Sequence, residues 1–150
     1  MLLGQTGSPR GICTMNLSSY VEHSIALYLY GVELDPEVVN ESVGISCDHS
    51  FKKGSSYARG GKCHDRGMWR FTVTGNGKSL SEQFDVIYQL IPKYLRPISN
   101  IDGVESGRIS LKLDESISID PFEIVLDLED IRKLNEIGVQ FYLTYFKKDD

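Results

Sequence analysis

Stretches in which apolar and polar residues alternate with a period of two recur along this chain, with helix starts between them. No other feature limits the possible folds so tightly. Residues 24–30 set Ile25, Leu27 and Leu29 on one face and stop at Gly31, the pattern of a half-buried strand. Residues 68–74 do the same with Trp69, Phe71 and Val73 against Arg70 and Thr72. Residues 108–113 repeat it with Ile109, Leu111 and Leu113, and residues 139–146 with Phe141, Leu143 and Tyr145. Residues 45–53 carry a weaker strand pattern, and residues 117–126 read as extended around Pro121, which suits an edge or an interrupted strand.

The helices lie between these strands. Asp35-Pro36 joins an N-cap to a proline at the first helical position, Val38, Val39 and Val43 supply a short apolar stripe, and Gly44 stops it. Ser79-Leu80-Ser81-Glu82 is a capping box, in which side chain and backbone donors satisfy each other at the helix start. The helix it opens carries Phe84, Ile87, Leu90 and Ile91, and Pro92 should kink or divide it by removing a donor and crowding the preceding turn. Asp127 caps a last helix with Leu128, Ile131, Leu134 and Ile137, which Gly138 ends. Paired strands with interspersed helices predict an α+β fold: a mainly antiparallel sheet covered by about three helices, with ferredoxin-like strand–helix–strand units.

At 150 residues the chain suits one domain with a sizeable core. Residues 1–20 lack periodicity and carry Gly4, Gly7, Pro9 and Gly11, so they are expected to form a flexible tail, with Met15 as an alternative start and residues 21–150 as the domain. No apolar run is long enough to span a bilayer, and the first residues lack the apolar core of a secretion signal. Three cysteines without secretory context predict free thiols in the cytoplasm.

The net charge of −5 is unevenly spread. Residues 48–70 hold six cations against two anions, and residues 101–130 hold nine anions against two cations. Two surfaces of opposite potential are therefore expected, which bears on partners rather than on fold. The basic stretch GSSYARGGK offers backbone N–H groups, Arg59 and Lys62 to a phosphate, and Tyr57 or Trp69 to a base. It has neither nucleotide-loop spacing, and Trp69 falls in phase with Phe71 and Val73, which marks it for the core. Cys47, His49, Cys63 and His64 supply the chemistry of a zinc site. Their spacing matches no zinc module, and neighbouring Cys63 and His64 would point to opposite faces of a strand. No metal is expected. A nucleophilic pair of Cys47 or Cys63 with His23, His49 or His64 lacks an orienting third group and oxyanion donors in recognisable order, and no catalytic residue is assigned.

From residue 24 to 146 the chain resembles a bacterial domain-of-unknown-function family, the one numbered forty-two seventy-nine. The matching features are Leu34-Asp35-Pro36-Glu37 after a strand and glycine, then Val43-Gly44-Ile45, Lys53-Gly54, and a Gly-rich loop into Gly67-Met68-Trp69. The long helix with Leu90 and Leu95 and the closing Leu134-to-Gly138 helix before Phe141 and Tyr145 complete the pattern. One departure is Cys47-Asp48-His49, where members carry a Pro-Thr-like pair. The resemblance implies a small cytoplasmic α+β domain, of a size and character shared with immunity proteins of bacterial toxin–immunity pairs.

Taken together, these features predict a non-enzymatic immunity protein, of the kind met in contact-dependent growth inhibition. It would bind a cognate bacterial toxin, a nuclease by expectation, by one-to-one occlusion, with no cofactor, no membrane and no direct nucleic acid contact. The candidate partner-binding residues are Asp114, Glu115, Asp120, Glu123 and Asp127 on the acidic stretch and Lys52, Lys53, Arg59 and Lys62 on the basic loop. Acidic surfaces suit the cationic groove of a nuclease and steer association. The alternative is a small ligand- or nucleic-acid-binding regulatory module that uses the basic loop.

Overall fold

The computed structural model describes residues 13–14, 23–57, 60–75, 78–114 and 122–146. Five strands form the main sheet: β2 (His23–Gly31), β3 (His49–Phe51), β4 (Gly67–Thr74), β5 (Ser106–Asp114) and β7 (Gln140–Phe146), in the order β3-β4-β2-β5-β7. Three neighbouring pairs are antiparallel and the β5–β7 pair is parallel. Helices α1 (Pro36–Val43), α2 (Leu80–Leu90) and α3 (Leu128–Ile137) complete an α+β fold. The short β1 (Cys13–Thr14) pairs in parallel with β6 (Phe122–Glu123). The rest of the 1–20 segment lies outside the described residues, as do Met15, Arg59, Glu115 and Asp120.

In the first half β4 slots between β2 and β3, the strands that α1 connects, which is the interleaving of a ferredoxin-like unit. In the second half β5 and β7 lie side by side with α3 as their crossover. Parallel neighbours need such a crossover, whereas β3 and β4 need only a hairpin.

The helix ends follow the local chemistry. The Asp35 carboxylate accepts the Glu37 N–H, and Gly44 closes α1 in the left-handed region. The Ser79–Glu82 box is formed at both bonds, and Asp127 and Asp130 make an equivalent box at the start of α3. Pro92 divides rather than kinks: α2 stops at Leu90 and two short 3-10 turns, Lys93–Leu95 and Ile98–Asn100, follow. Arg96 takes over the carbonyls left bare there, donating to Ile91 O and Tyr88 O, and its third bond to Glu136 ties α2 to α3.

The three helices among the described residues cover one face of the sheet. Ile25, Leu27 and Leu29, Trp69 and Val73, and Ile109, Leu111 and Leu113 meet Val39, Leu80, Phe84, Ile87, Leu134 and Ile137 in a single buried cluster. Trp69 is fully buried, as its phase required, and its indole N–H donates to Asn40 Oδ1 at 2.7 Å, an oxygen that also accepts the Cys47 N–H.

Candidate functional site: the open face of the sheet

Period-two alternation that buries Ile25, Leu27 and Leu29 turns Tyr28 and Tyr30 to the opposite face. On that face His49, Ser106, Gln140 and Tyr142 are exposed and Tyr28 and Tyr30 half-buried, whereas Ala26 and Met68 are buried. Register then fixes its rows. His49, Arg70, Tyr28, Arg108 and Gln140 stand side by side from β3 to β7. Phe51, Met68, Tyr30 and Ser106 form the next row, and Thr72, Ala26, Ser110 and Tyr142 form the row on the other side.

Tyrosine and arginine interlock at the centre. The Tyr28 and Tyr30 rings lie 6.2 Å apart with planes only 5° from parallel. The Arg108 guanidinium sits 4.9 Å from the Tyr28 ring centre, 5.6 Å from Tyr30 and 4.9 Å from Tyr142. Arg66 also lies over the Tyr30 ring, 4.2 Å from its centre. Arg108 Nε is buried and has no hydrogen-bond partner among the described residues, so a charged donor is held by ring faces without an acceptor. Burial raises the Tyr30 hydroxyl above its ordinary value against the pull of Arg108, which keeps it a neutral donor at physiological pH.

The described residues of the basic loop, 52–57 and 60–66, join this face at one end. Ser56 and Cys63 bridge as a small antiparallel ladder, Tyr57 N–H donates to Lys62 O, and Gly60 and Gly61 turn the tip in the left-handed region. The hairpin is anchored by rings: His64 stacks on Phe51 at 3.4 Å and meets Tyr57 at 4.0 Å. Lys53 and Lys62 are exposed, and Lys52 pairs with Asp35 at 3.4 Å.

Beside the hairpin, Asp48 anchors Arg70 and the backbone of Thr72 at 2.9 and 2.8 Å. Partial burial pushes its carboxyl up, but the bonds from Arg70 and Thr72 outweigh this and hold it below the ordinary carboxylate range. A folded value below the unfolded one means that the native state binds fewer protons. The contribution is therefore present above about pH 3.9 and is lost as pH falls through the folded value. With both partners more than a third exposed, the effect is expected to be about 1 kcal/mol or less. Urea midpoints measured from pH 5 to pH 2.5 should fall less steeply in Asp48→Asn than in the wild type, and parallel curves would show that the pair contributes nothing.

The acidic stretch looks different once folded. The Asp127 carboxylate caps α3 by accepting the Asp130 N–H at 2.8 Å, and Asp130 is buried against Ser81 and the Asp127 N–H. Burial raises the Asp130 carboxyl above its usual range. Glu129 is paired with Arg132. Asp114 ends β5 and Glu123 belongs to β6. The acids of the helix start thus satisfy the helix, and the structure does not gather them with the basic loop.

Cys47 is half-buried, Cys63 is exposed, and both are free thiols. Among the described residues no three His, Cys, Asp or Glu side chains converge in a metal-binding group. His64 is held between two rings, and His23 is buried against Gln83. Among the described residues no helix is long and apolar enough to cross a membrane.

A family model described as Domain of unknown function (DUF4279) matches residues 21–146. The chain belongs to the DUF4279 family. No curated protein and no solved structure matches it. In this DUF4279 domain the residues that sequence reading missed are Tyr28, Tyr30, Arg66, Arg108 and Tyr142. The signal was present: residues in antiphase with a buried apolar set share the other face, and two of them are tyrosines on one strand. Pairing register, which no local pattern states, brings Arg108 and Tyr142 beside them.

Proposed function

We propose that this domain is a non-catalytic binding module whose working surface is the open face of the sheet with the basic hairpin at its end, and whose partner is anionic. The observation that supports this most directly is Arg108, a guanidinium caged by three tyrosine rings with Nε lacking an acceptor. An acidic group of a partner meets the charge of this half-buried guanidinium at the rim of the ring cage. The test is an NMR titration of the full chain with heparin as the anionic probe. Amide shifts are expected to concentrate at Tyr28, Tyr30, Arg108, Tyr142 and residues 52–57. Shifts confined to α3, or spread evenly over the surface, would overturn the assignment of the face.

An immunity protein is the second reading, favoured by the composition of the same surface. Tyrosine and arginine are enriched in the centres of protein interfaces and among hot-spot residues, and Tyr28, Tyr30 and Arg108 lie together here. The inhibited toxin would then present an acidic surface, such as the metal-binding carboxylates of a nuclease centre, and be blocked one to one. A cytoplasmic location fits the exposed thiol of Cys63. Reversing Lys52, Lys53 and Lys62 to Glu should then slow association with such a toxin more than reversing Asp120 and Glu123 to Lys. The opposite ranking would return the contact to the acidic stretch.

A further inference from the structure

We infer that the anionic partner of this face is single-stranded nucleic acid, whose unpaired bases stack on the exposed Tyr57 and Tyr142 rings while Arg66, Arg108 and the hairpin lysines meet its phosphates. This rests on the reading of that face as the working surface and names its ligand class.

Three observations favour this ligand over other anions. First, charge and flat rings alternate on one surface: Tyr28 and Tyr30 run parallel, Tyr142 stands 44 % exposed two strands away, and Arg108 lies between them. An acidic protein offers carboxylates without a regular series of rings, whereas an unpaired strand offers a charge and a ring at every step. Stacking on aromatic side chains and on guanidinium planes is how unpaired bases are held.

Second, the cations do not stop at the platform. Lys53 and Lys62 continue along the hairpin past Phe51, His64 and Tyr57. A small anion would fill one position, whereas a polymer meets the whole track. The five strands span on the order of 20 Å at the usual inter-strand spacing, and sheet surfaces of this kind stack two or three bases.

Third, the rings lie on the broad surface of a sheet, which is too wide to enter a groove. A duplex hides its base faces within the stack, so these tyrosines would meet nothing in it. Single strands alone expose the surfaces that these rings accept.

The experiment is fluorescence anisotropy of the full chain with a labelled oligouridylate of roughly 12 nucleotides, a length within known single-strand site sizes. With about three phosphates neutralised, the logarithm of the affinity should fall with the logarithm of salt concentration at a slope of about −2. Tyr142→Ala, at an exposed position, should weaken binding roughly five- to a hundredfold with the slope unchanged, because it removes stacking rather than charge. Lys53→Gln with Lys62→Gln should flatten the slope by about 1, and Arg108→Lys, which keeps the charge but loses the planar fork, should weaken binding without flattening it. Thermal melts establish that each variant is folded.

Equal affinity for a duplex of the same length would overturn the inference, as would a Tyr142→Ala variant that binds like the wild type. Binding of heparin or polyglutamate without the oligonucleotide would overturn it while leaving an anionic partner, such as an acidic protein, in place. Failure of all three probes to bind would overturn the reading of the face as well.

Discussion

Trp69→Ala should destabilise the domain by about 3–5 kcal/mol, the range for emptying a large aromatic site in a core. The indole is fully buried in β4 among the apolar residues that the helices contribute. Its N–H is also one of two donors on Asn40 Oδ1, the other being the Cys47 N–H. Truncation therefore opens a cavity and removes a bond that ties α1 to the sheet. A small domain is stable by about 5–15 kcal/mol, so the variant should retain only part of its native cooperativity at room temperature. Trp69→Phe separates the two effects: it keeps most of the packing, loses the bond, and should cost about 1–2 kcal/mol. Urea unfolding of both variants measures this. A loss below about 1 kcal/mol for Trp69→Ala would show that the site collapses without penalty, contrary to close packing around it.

Gly31→Ala should be nearly as damaging, for a reason unrelated to the core. A Cβ at Gly31 would stand 1.9 Å from the carbonyl oxygen of Gly103 and 3.3 Å from the Glu105 amide nitrogen. Both neighbours are backbone, so no rotamer change relieves the clash. The same junction is held by the Glu105 N–H donating to Tyr30 O and the Val32 N–H donating to the Glu105 carboxylate. Admitting one methyl means moving the loop after the second 3-10 turn away from the end of β2. A loss of about 3 kcal/mol, within the range for forced overpacking, corresponds to a melting temperature lower by about 10 °C in a chain of this size. Gly44 provides the contrast, since nothing lies within 4 Å of its would-be Cβ although its φ is +80°. Gly44→Ala should cost about 1 kcal/mol from backbone strain alone. If calorimetry finds the two variants equal, the close approach at Gly31 is relieved by a small backbone shift.

Tyr30 shows why these two results bear on function. It follows Leu29, whose side chain is in the core, and precedes Gly31, where the backbone junction lies. The orientation of the tyrosine platform is thus set by burial on one side and by backbone contact at one end, and a variant weakened at Gly31 should lose order first at Tyr30 and Arg66.

Much of this fold was legible before folding was considered. The capping box at Ser79, the Asp35-Pro36 start and the glycine stops at Gly44 and Gly138 are local devices whose bonds reach only a few residues. Each forms as expected, because its chemistry is complete within one turn. Period two likewise placed Trp69, Ile25, Leu27 and Leu29 inside, since a strand with one buried face has a single way to turn. The weakly patterned 45–53 stretch yields only three strand residues, His49–Phe51, as its lack of alternation allowed.

The site was less legible, and the charge counts explain why. A run of acids between 114 and 130 resembles a surface on paper, yet Asp127 and Asp130 are engaged by the helix they begin. Sequence counts charges without knowing which are neutralised by a neighbour three residues away. Conversely, Arg108 sits in a segment that reads as acidic overall, and it becomes the centre of a cationic surface only because β5 lies beside β2.

By itself, then, the sequence determined the principal strands and helices, the caps that begin the helices, the face that the alternating strands bury and membership of the DUF4279 family. These depend on contacts close in sequence and on side-chain period. Only the tertiary structure decided which strands are neighbours, with β4 inserted between β2 and β3 and β7 laid parallel to β5. That order sets Arg108 4.9 Å from the Tyr28 ring, 5.6 Å from Tyr30 and 4.9 Å from Tyr142, residues that span more than a hundred positions of chain. Strand pairing is a property of the backbone, and backbone hydrogen bonds carry no mark of the side chains they bring together.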